Sequence, residues 1–263
     1  MPNASTDSEK EKLTLILIHG ATCNSRMWDA VCRNLDPRFR VVALELPGHG
    51  ARRNEKFTLD GAVATVVEAA RAVMPSPVVL VGDSLGGYTA MASASSLPRE
   101  QLQGLVLGGC SANVMGWASL PFLVQAVTFK VLIALFGESR LIRQNRPMLV
   151  KLGMGEPDVQ AVVDAGMSLG AFEQVVLALL GIDFRQMLAG IEQPVLIVNG
   201  SRDKPMVRQE AGFLAAGQQI SGRRIDCEHG ASMLRSAEFA GLVNDFASLV
   251  VARRIEAAVR VAG

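Results

Sequence analysis

The sequence predicts an α/β fold, built on a mostly parallel sheet of about six strands flanked by helices. Short apolar runs rich in β-branched residues alternate with longer helical patterns, as expected for parallel strands joined by crossover helices. The apolar run at 78–81 leads directly into Gly82-Asp83-Ser84-Leu85-Gly86 and then into small helix-forming residues. The stretch 111–190 has helical patterns and no predicted strand, which indicates an insertion into the sheet-forming core.

The predicted elements follow one another along nearly the whole chain. Strands are expected at residues 13–18, 40–44, 78–81, 102–107, 195–198 and 219–225. Helices are expected at residues 27–35, 59–73, 84–96 and 207–215, and from 231 into the C-terminal region.

These elements divide the chain into three parts. Residues 13–110 and 191–263 form the predicted core. Residues 111–190 form a helical cap over the carboxyl edge of the sheet, where ligands of open α/β sheets bind. Residues 1–12 are polar, lack the apolar segment of a signal peptide, and are expected to be a disordered tail.

The turn after the third predicted strand carries the candidate nucleophile. A G-x-S-x-G turn between a strand and a helix presents one serine hydroxyl at the end of the strand, and here that serine is Ser84. The turn is tight, so side chains at Gly82 and Gly86 would collide with the neighbouring strand and helix. A serine hydroxyl is a weak nucleophile, so Ser84 requires a base, an acid that orients the base, and hydrogen-bond donors for the oxyanion.

The chain contains three histidines, so the search for the base is short. His19 ends the first predicted strand and His49 lies in a turn after the second, and both are interpreted as structural. His229 lies in a late loop, after the predicted strand 219–225. Because a loop lets an imidazole lean over a serine that the sheet holds in place, we predict that His229 is the base for Ser84.

The candidate acid is Asp203. It lies in the turn that follows the predicted strand 195–198, and a carboxylate there would hold the imidazole by its other nitrogen. It also falls between Ser84 and His229, in the order nucleophile, acid, base. The loop after the preceding strand, residues 108–113, contains no Asp or Glu that would compete.

The chain resembles the small, single-domain esterases and lipases of the α/β-hydrolase superfamily. Four features appear in the order found there: His19-Gly20 with Trp28 downstream, Leu46-Pro47-Gly48-His49-Gly50, the turn around Ser84, and Asp203 with His229. Together they are specific for the fold and much less specific for the substrate. The resemblance implies that the backbone N–H groups of Ala21 and Leu85 form the oxyanion hole.

Two features depart from the commonest pattern of that superfamily. Asp83 replaces the frequent His or Gln before the nucleophile and adds a negative charge near the site. We expect it to pair with a nearby cation or bind loop amides rather than to catalyse. The predicted sheet also begins at residue 13, which implies that the two leading strands of the superfamily are absent.

The composition of the chain indicates which binding partners and which cellular compartment to expect. Lys and Arg total 26 against 25 Asp and Glu, which gives no electrostatic reason to expect nucleic acid. The cysteines Cys23, Cys32, Cys110 and Cys227 show no C-x-x-C spacing, so reduced thiols in a cytoplasmic protein are expected. Histidine and cysteine do not cluster as zinc ligands do, and the predicted chemistry requires no metal ion or organic cofactor.

The cap contains a strongly apolar run over residues 117–136. Its length approaches the ~20 residues that cross a bilayer. Pro121, Gln125 and Lys130 interrupt it, however, and a crossing would separate Ser84 from its acid and base, so no stable membrane span is expected.

Three interpretations of this run remain open. It packs on the core as a buried helix, its inner face lines an apolar pocket, or it makes shallow contact with lipid. For the second interpretation, the candidate pocket residues are Trp117, Phe122 and Phe129.

The predicted function is a serine hydrolase that cleaves a carboxylic ester of a small, largely apolar substrate through an acyl-enzyme. A thioesterase or a lactonase is the alternative with the same chemistry, and the family resemblance also leaves perhydrolase, carbon–carbon hydrolase and acyltransferase activities open. The alternative from another class is a ligand-binding or receptor protein that retains the fold. The oligomeric state is not specified by these patterns.

Overall fold

A six-stranded, fully parallel sheet forms the centre of the protein, which a computed structural model describes over residues 12–262. The strands are β1 (Thr14–Ile18), β2 (Arg40–Ala43), β3 (Val78–Asp83), β4 (Leu102–Gly108), β5 (Val195–Gly200) and β6 (Ile220–Ile225). Their spatial order is β2-β1-β3-β4-β5-β6. This confirms the predicted parallel sheet, and no strand precedes β1 within residues 12–262.

Helices connect the strands and cover both faces of the sheet. They are α1 (Asp29–Cys32), α2 (Leu59–Ala72), α3 (Leu85–Ser93), α4 (Leu120–Phe136), α5 (Glu138–Leu152), α6 (Glu156–Asp164), α7 (Ala171–Leu179), α8 (Phe184–Ala189), α9 (Lys204–Leu214), α10 (Ala231–Leu234) and α11 (Ser236–Ala262).

Two of the predicted helices differ from the structure. The helix expected at 27–35 is a 3₁₀ turn, Ser25–Trp28, followed by the short α1. Asn24 caps this 3₁₀ turn by accepting a hydrogen bond from the N–H of Arg26. The helix expected from residue 231 onward is divided into α10 and α11, because Arg235 leaves the helical conformation with φ −140° and ψ 51°.

The apolar core lies on both sides of the sheet. Along β1, Ile16 and Ile18 contribute to one buried cluster while Leu15 and Leu17 contribute to the other. Successive side chains of a strand point to opposite faces, so a strand buried on both faces is a continuous apolar run. That is why β1 and β3 can be recognised from the sequence.

Five helices, α4 to α8, fill the chain between β4 and β5 and form the cap. The side chain of Asn24 in the core donates hydrogen bonds to the cap carbonyls of Val162 (2.8 Å) and Gly166 (3.1 Å). Within the inserted segment, the side chain of Asn113 donates to Asp183 and accepts from the N–H of Phe184. The Asn24 bonds therefore attach the cap to the core, and the Asn113 bonds join the two ends of the insertion. Residues 1–11 lie outside the described residues, so the disordered tail stays a prediction.

Candidate active site

Ser84 lies at the strained turn between β3 and α3. Its backbone has φ 54° and ψ −115°, a left-handed conformation that residues with a side chain rarely adopt. A Cβ at Gly82 would overlap the backbone of Gly86, and one at Gly86 would overlap the carbonyl oxygen of Ile18. The predicted reason for both glycines is therefore confirmed, since only glycine lets α3 start this close to β1 and β3.

A continuous hydrogen-bonded chain joins Ser84, His229 and Asp203. The Oγ of Ser84 is 2.9 Å from Nε2 of His229, and Nδ1 of His229 is 2.6 Å from Oδ2 of Asp203. Ser84 follows β3, Asp203 follows β5 and His229 follows β6. Because the carboxyl ends of parallel strands meet at one edge, residues distant in sequence are brought together there.

The neighbours of His229 stabilise its protonated form. Its burial disfavours the imidazolium, but the hydrogen bond and the charge of Asp203, helped by the charge of Asp83, outweigh that effect and raise the pKa of His229 above its ordinary value. The side chain of His229 is 45% exposed while that of Asp203 is 4% exposed. The imidazole is thus accessible on one side and held by a buried carboxylate on the other.

Ala21 and Leu85 lie beside Ser84 at the same cavity. Ala21 comes from the loop after β1, and Leu85 is the first residue of α3. The first N–H groups of a helix have no acceptor within the helix and carry its positive dipole end. These two positions are suited to bind an oxyanion on a carbonyl carbon attacked by Ser84.

Asp83 connects the nucleophile turn to the loop that carries His229. It is 1% exposed, and its Oδ2 accepts a short hydrogen bond from the hydroxyl of Ser232 in α10. Burial raises the pKa of Asp83, and the charge of His229 and the Ser232 bond oppose that rise. The Ser232 hydroxyl is a partner that the sequence did not indicate, while the backbone N–H of Ser84 and the charge of His229 agree with the expected loop amide and cation.

His19 and His49 are fully buried and stabilise loops. Nε2 of His19 accepts a hydrogen bond from the N–H of Leu46 (3.1 Å), and Nδ1 donates to the carbonyl of Gly20 (2.8 Å). Nδ1 of His49 donates to the carbonyl of Pro47 (2.9 Å), and burial lowers the pKa of His49 to about 4. Neither imidazole contacts Ser84, in agreement with their interpretation as structural.

The hydroxyl of Ser84 faces a cavity of about 900 Å³ between the core and the cap. Most of its wall is apolar. The apolar lining comprises Leu85, Tyr88, Val114, Phe122, Phe172, Val175, Val176, Leu179, Pro205 and Met206. Exposed polar side chains, including Gln125, Arg202 and Lys204, complete it.

The three candidate pocket residues take three different positions. Phe122 lines the cavity. Phe129 stands behind the wall, with its ring 5.3 Å from that of Phe172, which does line it. Trp117 is 91% exposed and does not line the cavity, contrary to expectation. It lies in the 3₁₀ turn before α4, and its side chain is directed into solvent.

The structure also reveals a cavity wall that was not identified from the sequence. It is the inner face of α7, formed by Phe172, Val175, Val176 and Leu179. Their spacing of three and four residues is the pattern of one helix face, so the signal was present in the sequence. It did not say whether that face met the core or a cavity.

Comparisons with known proteins agree with this geometry. Residues 15–242 match the model of the alpha/beta hydrolase family. The chain is 27% identical over 207 residues to the pimeloyl-acyl-carrier-protein methyl ester esterase of Nitrosomonas europaea, covering 72% of this chain and 77% of that protein.

Solved structures show the same fold. A carboxylesterase of Nitrososphaera gargenis superposes with a TM-score of 0.76 at 18% identity, covering 93% of both chains. The enol-lactonase of Burkholderia xenovorans superposes with a TM-score of 0.71 at 18% identity, covering 90% of this chain and 92% of that one. Since the family model spans most of the sequence and the parallel sheet carries Ser84 at the turn after β3, this chain belongs to the alpha/beta hydrolase family.

Proposed function

We propose that the protein hydrolyses a carboxylic ester with a largely apolar acyl group, using Ser84, His229 and Asp203 as a catalytic triad. The observation that carries the proposal is the hydrogen-bonded chain of these three side chains at an apolar cavity. The similarity to a methyl ester esterase over about three quarters of both chains supports an ester as the substrate.

In the proposed first half-reaction, Nε2 of His229 accepts the proton of Ser84 as its Oγ attacks the ester carbonyl carbon. Asp203 holds the imidazole by Nδ1 and stabilises its positive charge. The negative charge on the carbonyl oxygen is stabilised by the N–H groups of Ala21 and Leu85. When the tetrahedral intermediate collapses, His229 gives its proton to the departing alkoxide, and the acyl group stays on Ser84.

In the second half-reaction, water replaces the alcohol. His229 removes a proton from the water as its oxygen attacks the acyl-enzyme, and then returns a proton to Oγ of Ser84. The products are the free carboxylic acid and the original enzyme. Each step uses side chains and backbone groups of this chain.

The cavity suggests which part of the substrate is recognised. An apolar wall of this extent favours a chain or ring of carbon atoms, which gains about 0.8 kcal/mol for each CH₂ that leaves water. Wall residues from both α4 and α7 surround this space. We therefore propose that the acyl group occupies the cavity between the core and these cap helices.

The test is hydrolysis of p-nitrophenyl esters of short, medium and long acyl chains by the wild-type protein and by Ser84→Ala. We expect turnover by the wild type, and a loss of about three or more orders of magnitude in kcat for Ser84→Ala. Ser93→Ala is the matched control, since Ser93 is buried in α3 and bonds to the carbonyl of Thr89. Equal rates for wild type and Ser84→Ala would contradict the proposal.

A second panel separates the alternatives. It contains a thioester, a lactone, a simple methyl ester and a methyl ester of an acyl chain attached to acyl-carrier protein. We expect the oxygen esters to show the highest kcat/KM. A higher value for the thioester or the lactone would reassign the substrate class, and tight binding without turnover would favour the receptor function.

A further inference from the structure

The cap helix α4 is apolar on all sides but buried on one side only. Its inner face carries Phe122 at the cavity and the buried Ala126. A helix that is hydrophobic all round is normally enclosed in a core or in lipid. By length and composition, residues Gly116–Phe136 could span a membrane, yet only 11% of their most apolar stretch is buried.

The outer face of α4 forms a continuous apolar stripe. Its members recur every three or four residues and are 49–91% exposed; they are Trp117, Leu120, Val124, Val127, Val131 and Leu135. Thr128 lies among them, and its hydroxyl donates to the carbonyl of Val124 at 2.8 Å. Because the Thr128 hydroxyl is hydrogen-bonded within the helix, placing it in an apolar medium costs less free energy than placing an unbonded hydroxyl there.

The helix that follows is rich in cations. Helix α5 is separated from α4 by Gly137 alone and packs against it. Between residues 116 and 152 there are five cations, Lys130, Arg140, Arg143, Arg146 and Lys151, against one acid, Glu138. The whole chain has a formal net charge of only +1. Positive charge is thus concentrated on the helix that packs against α4.

These cations are available to an external partner. Within residues 12–262, none of the four cations of α5 lies within 4 Å of a carboxylate. Lys130 pairs with Glu173 at 2.9 Å but keeps 67% of its side chain exposed. The acid of this segment, Glu138, accepts a hydrogen bond from the N–H of Gly170.

We infer that the outer face of α4, with α5 beside it, docks on an anionic phospholipid surface. A helix whose apolar face enters the boundary of the acyl chains, flanked by cations at the level of the headgroups, is the pattern of an interfacial helix. Self-association through this stripe would bring two cation-rich α5 helices near each other about a two-fold axis, which charge repulsion opposes. An anionic bilayer neutralises the same charges.

The helix lies in the plane of the surface rather than across it. Its inner face is occupied by the cavity and by α7, which a crossing would expose. Docking also places the cavity next to lipid. The use of that cavity for the substrate rests on the proposed function, whereas the docking itself does not.

The experiment is co-sedimentation of the full chain, as Ser84→Ala so that lipids stay intact, with phosphatidylcholine vesicles that contain or lack phosphatidylglycerol. We expect binding to the anionic vesicles, weaker binding to the neutral ones, and a decrease as salt concentration rises. The triple substitution Val124→Gln, Val127→Gln and Val131→Gln is expected to weaken binding by about tenfold or more. The triple substitution Arg140→Gln, Arg143→Gln and Arg146→Gln should reduce binding to the anionic vesicles alone.

The matched control replaces three similarly exposed apolar residues of α11. Leu249, Ile255 and Val259 are 48%, 60% and 66% exposed, and their change to Gln is expected to leave vesicle binding unchanged. Each triple substitution, made in the active enzyme, should also keep wild-type hydrolysis of a soluble short ester. That assay shows that the fold is intact and keeps failure of docking distinct from failure of the proposed function.

Three results would overturn the inference. The first is a protein that stays in the supernatant with anionic vesicles. The second is binding that the valine substitutions do not reduce, because charge alone, as for an acidic protein partner, would then account for it. The third is a mass that rises with protein concentration in sedimentation velocity without vesicles and no longer rises after the valine substitutions, because a second copy would then cover the stripe.

Discussion

At the scale of single residues, the neighbours of His229 set the pH range in which it can act as the proposed base. The charge and hydrogen bond of Asp203 raise the pKa of His229 against the effect of burial, with a further contribution from Asp83. In the proposed mechanism, His229 must be neutral to accept the proton of Ser84. The acid limb of the pH–rate profile is therefore expected above the ordinary histidine range, with activity lost as pH falls through it.

The first prediction concerns Asp203→Asn. Removing the carboxylate charge takes away the main influence that raises the pKa of His229, so the acid limb of kcat/KM should move to lower pH. The same change should lower kcat by about three orders of magnitude, since the imidazole loses its orientation and the stabilisation of its charge. The measurement is kcat/KM as a function of pH for a soluble ester.

The control for this change is Asp226→Asn, because Asp226 is 81% exposed in the neighbouring loop and pairs with Arg202. It should leave both the profile and kcat near wild type. An acid limb that does not move in Asp203→Asn would mean that another group holds the imidazole.

The second prediction concerns the buried pair of Asp83 and Ser232. Ser232→Ala removes the hydroxyl that donates to the Asp83 carboxyl and leaves that carboxyl buried without this partner. Because the pair joins the turn of Ser84 to the helix that follows His229, we expect kcat to fall by about tenfold with little change in KM. Ser93→Ala again provides the matched buried-serine control.

Rescue distinguishes this positioning role from a general loss of packing. Removing both polar partners, as in Asp83→Ala with Ser232→Ala, should recover part of the free energy of unfolding that the single change loses, because no carboxyl remains unsatisfied. Activity should stay low, since the connection between the two loops is still missing. A double variant with full activity would show that the connection is unnecessary.

At the scale of secondary-structure elements, α4 separates two apolar surfaces. One face of α4 closes the cavity with Phe122, and the opposite face presents the exposed stripe. Helix α7 forms the adjoining wall of the cavity. The two helices together therefore determine the size of the cavity in which we propose that the acyl group lies.

The third prediction tests whether the cavity face and the exposed face of this cap segment have different roles, with one aromatic residue from each. Phe122→Gln puts an amide into the apolar wall and should lower kcat/KM for a long-chain ester by about tenfold or more, since each CH₂ that loses its apolar contact there forgoes about 0.8 kcal/mol and a long chain has several. The value for the shortest ester should change much less. Trp117→Gln is the control, because Trp117 is 91% exposed and should leave the chain-length profile unchanged.

If both substitutions shift the profile equally, the division between inner and outer faces is wrong. Phe129→Gln is expected to have an intermediate effect, since Phe129 contacts the wall residue Phe172 without lining the cavity itself.

At the scale of the whole molecule, the strand order assembles the site and the cap is fastened over it. The carboxyl ends of β1, β3, β5 and β6 lie at one edge of the sheet. The cap is tied to that edge by two hydrogen bonds from the buried side chain of Asn24. Its attachment thus contributes to stability as well as to the shape of the cavity.

The fourth prediction is that Asn24→Ala lowers the free energy of unfolding by about 1–3 kcal/mol. Asn24 is fully buried, and its loss leaves the carbonyls of Val162 and Gly166 without their donor. Urea denaturation followed by circular dichroism measures the change. Asn34→Ala is the control, because Asn34 is exposed and its side chain, among residues 12–262, bonds only to the carbonyl of Ala30. A comparable loss there would contradict the role of Asn24.

Much of the core was predictable because its signals are local. An apolar strand buried on both faces is a continuous apolar run, so β1, β3 and β5 could be recognised in the sequence. The turn around Ser84 could be recognised by its glycines, which are required because a side chain would not fit there. Helix ends were less well predicted, as at Arg235, where a single residue leaves the helical conformation between α10 and α11.

The sequence by itself determined the alternation of strands and helices, the residue at the nucleophile turn, and the small set of histidines and carboxylates from which partners could be drawn. Only the tertiary structure decided that Ser232 meets Asp83, that α7 walls the cavity, and that Trp117 faces away from it. The physical reason is that an evenly apolar helix such as α4 carries no mark of its inner face. Packing against segments far away in the chain selects that face.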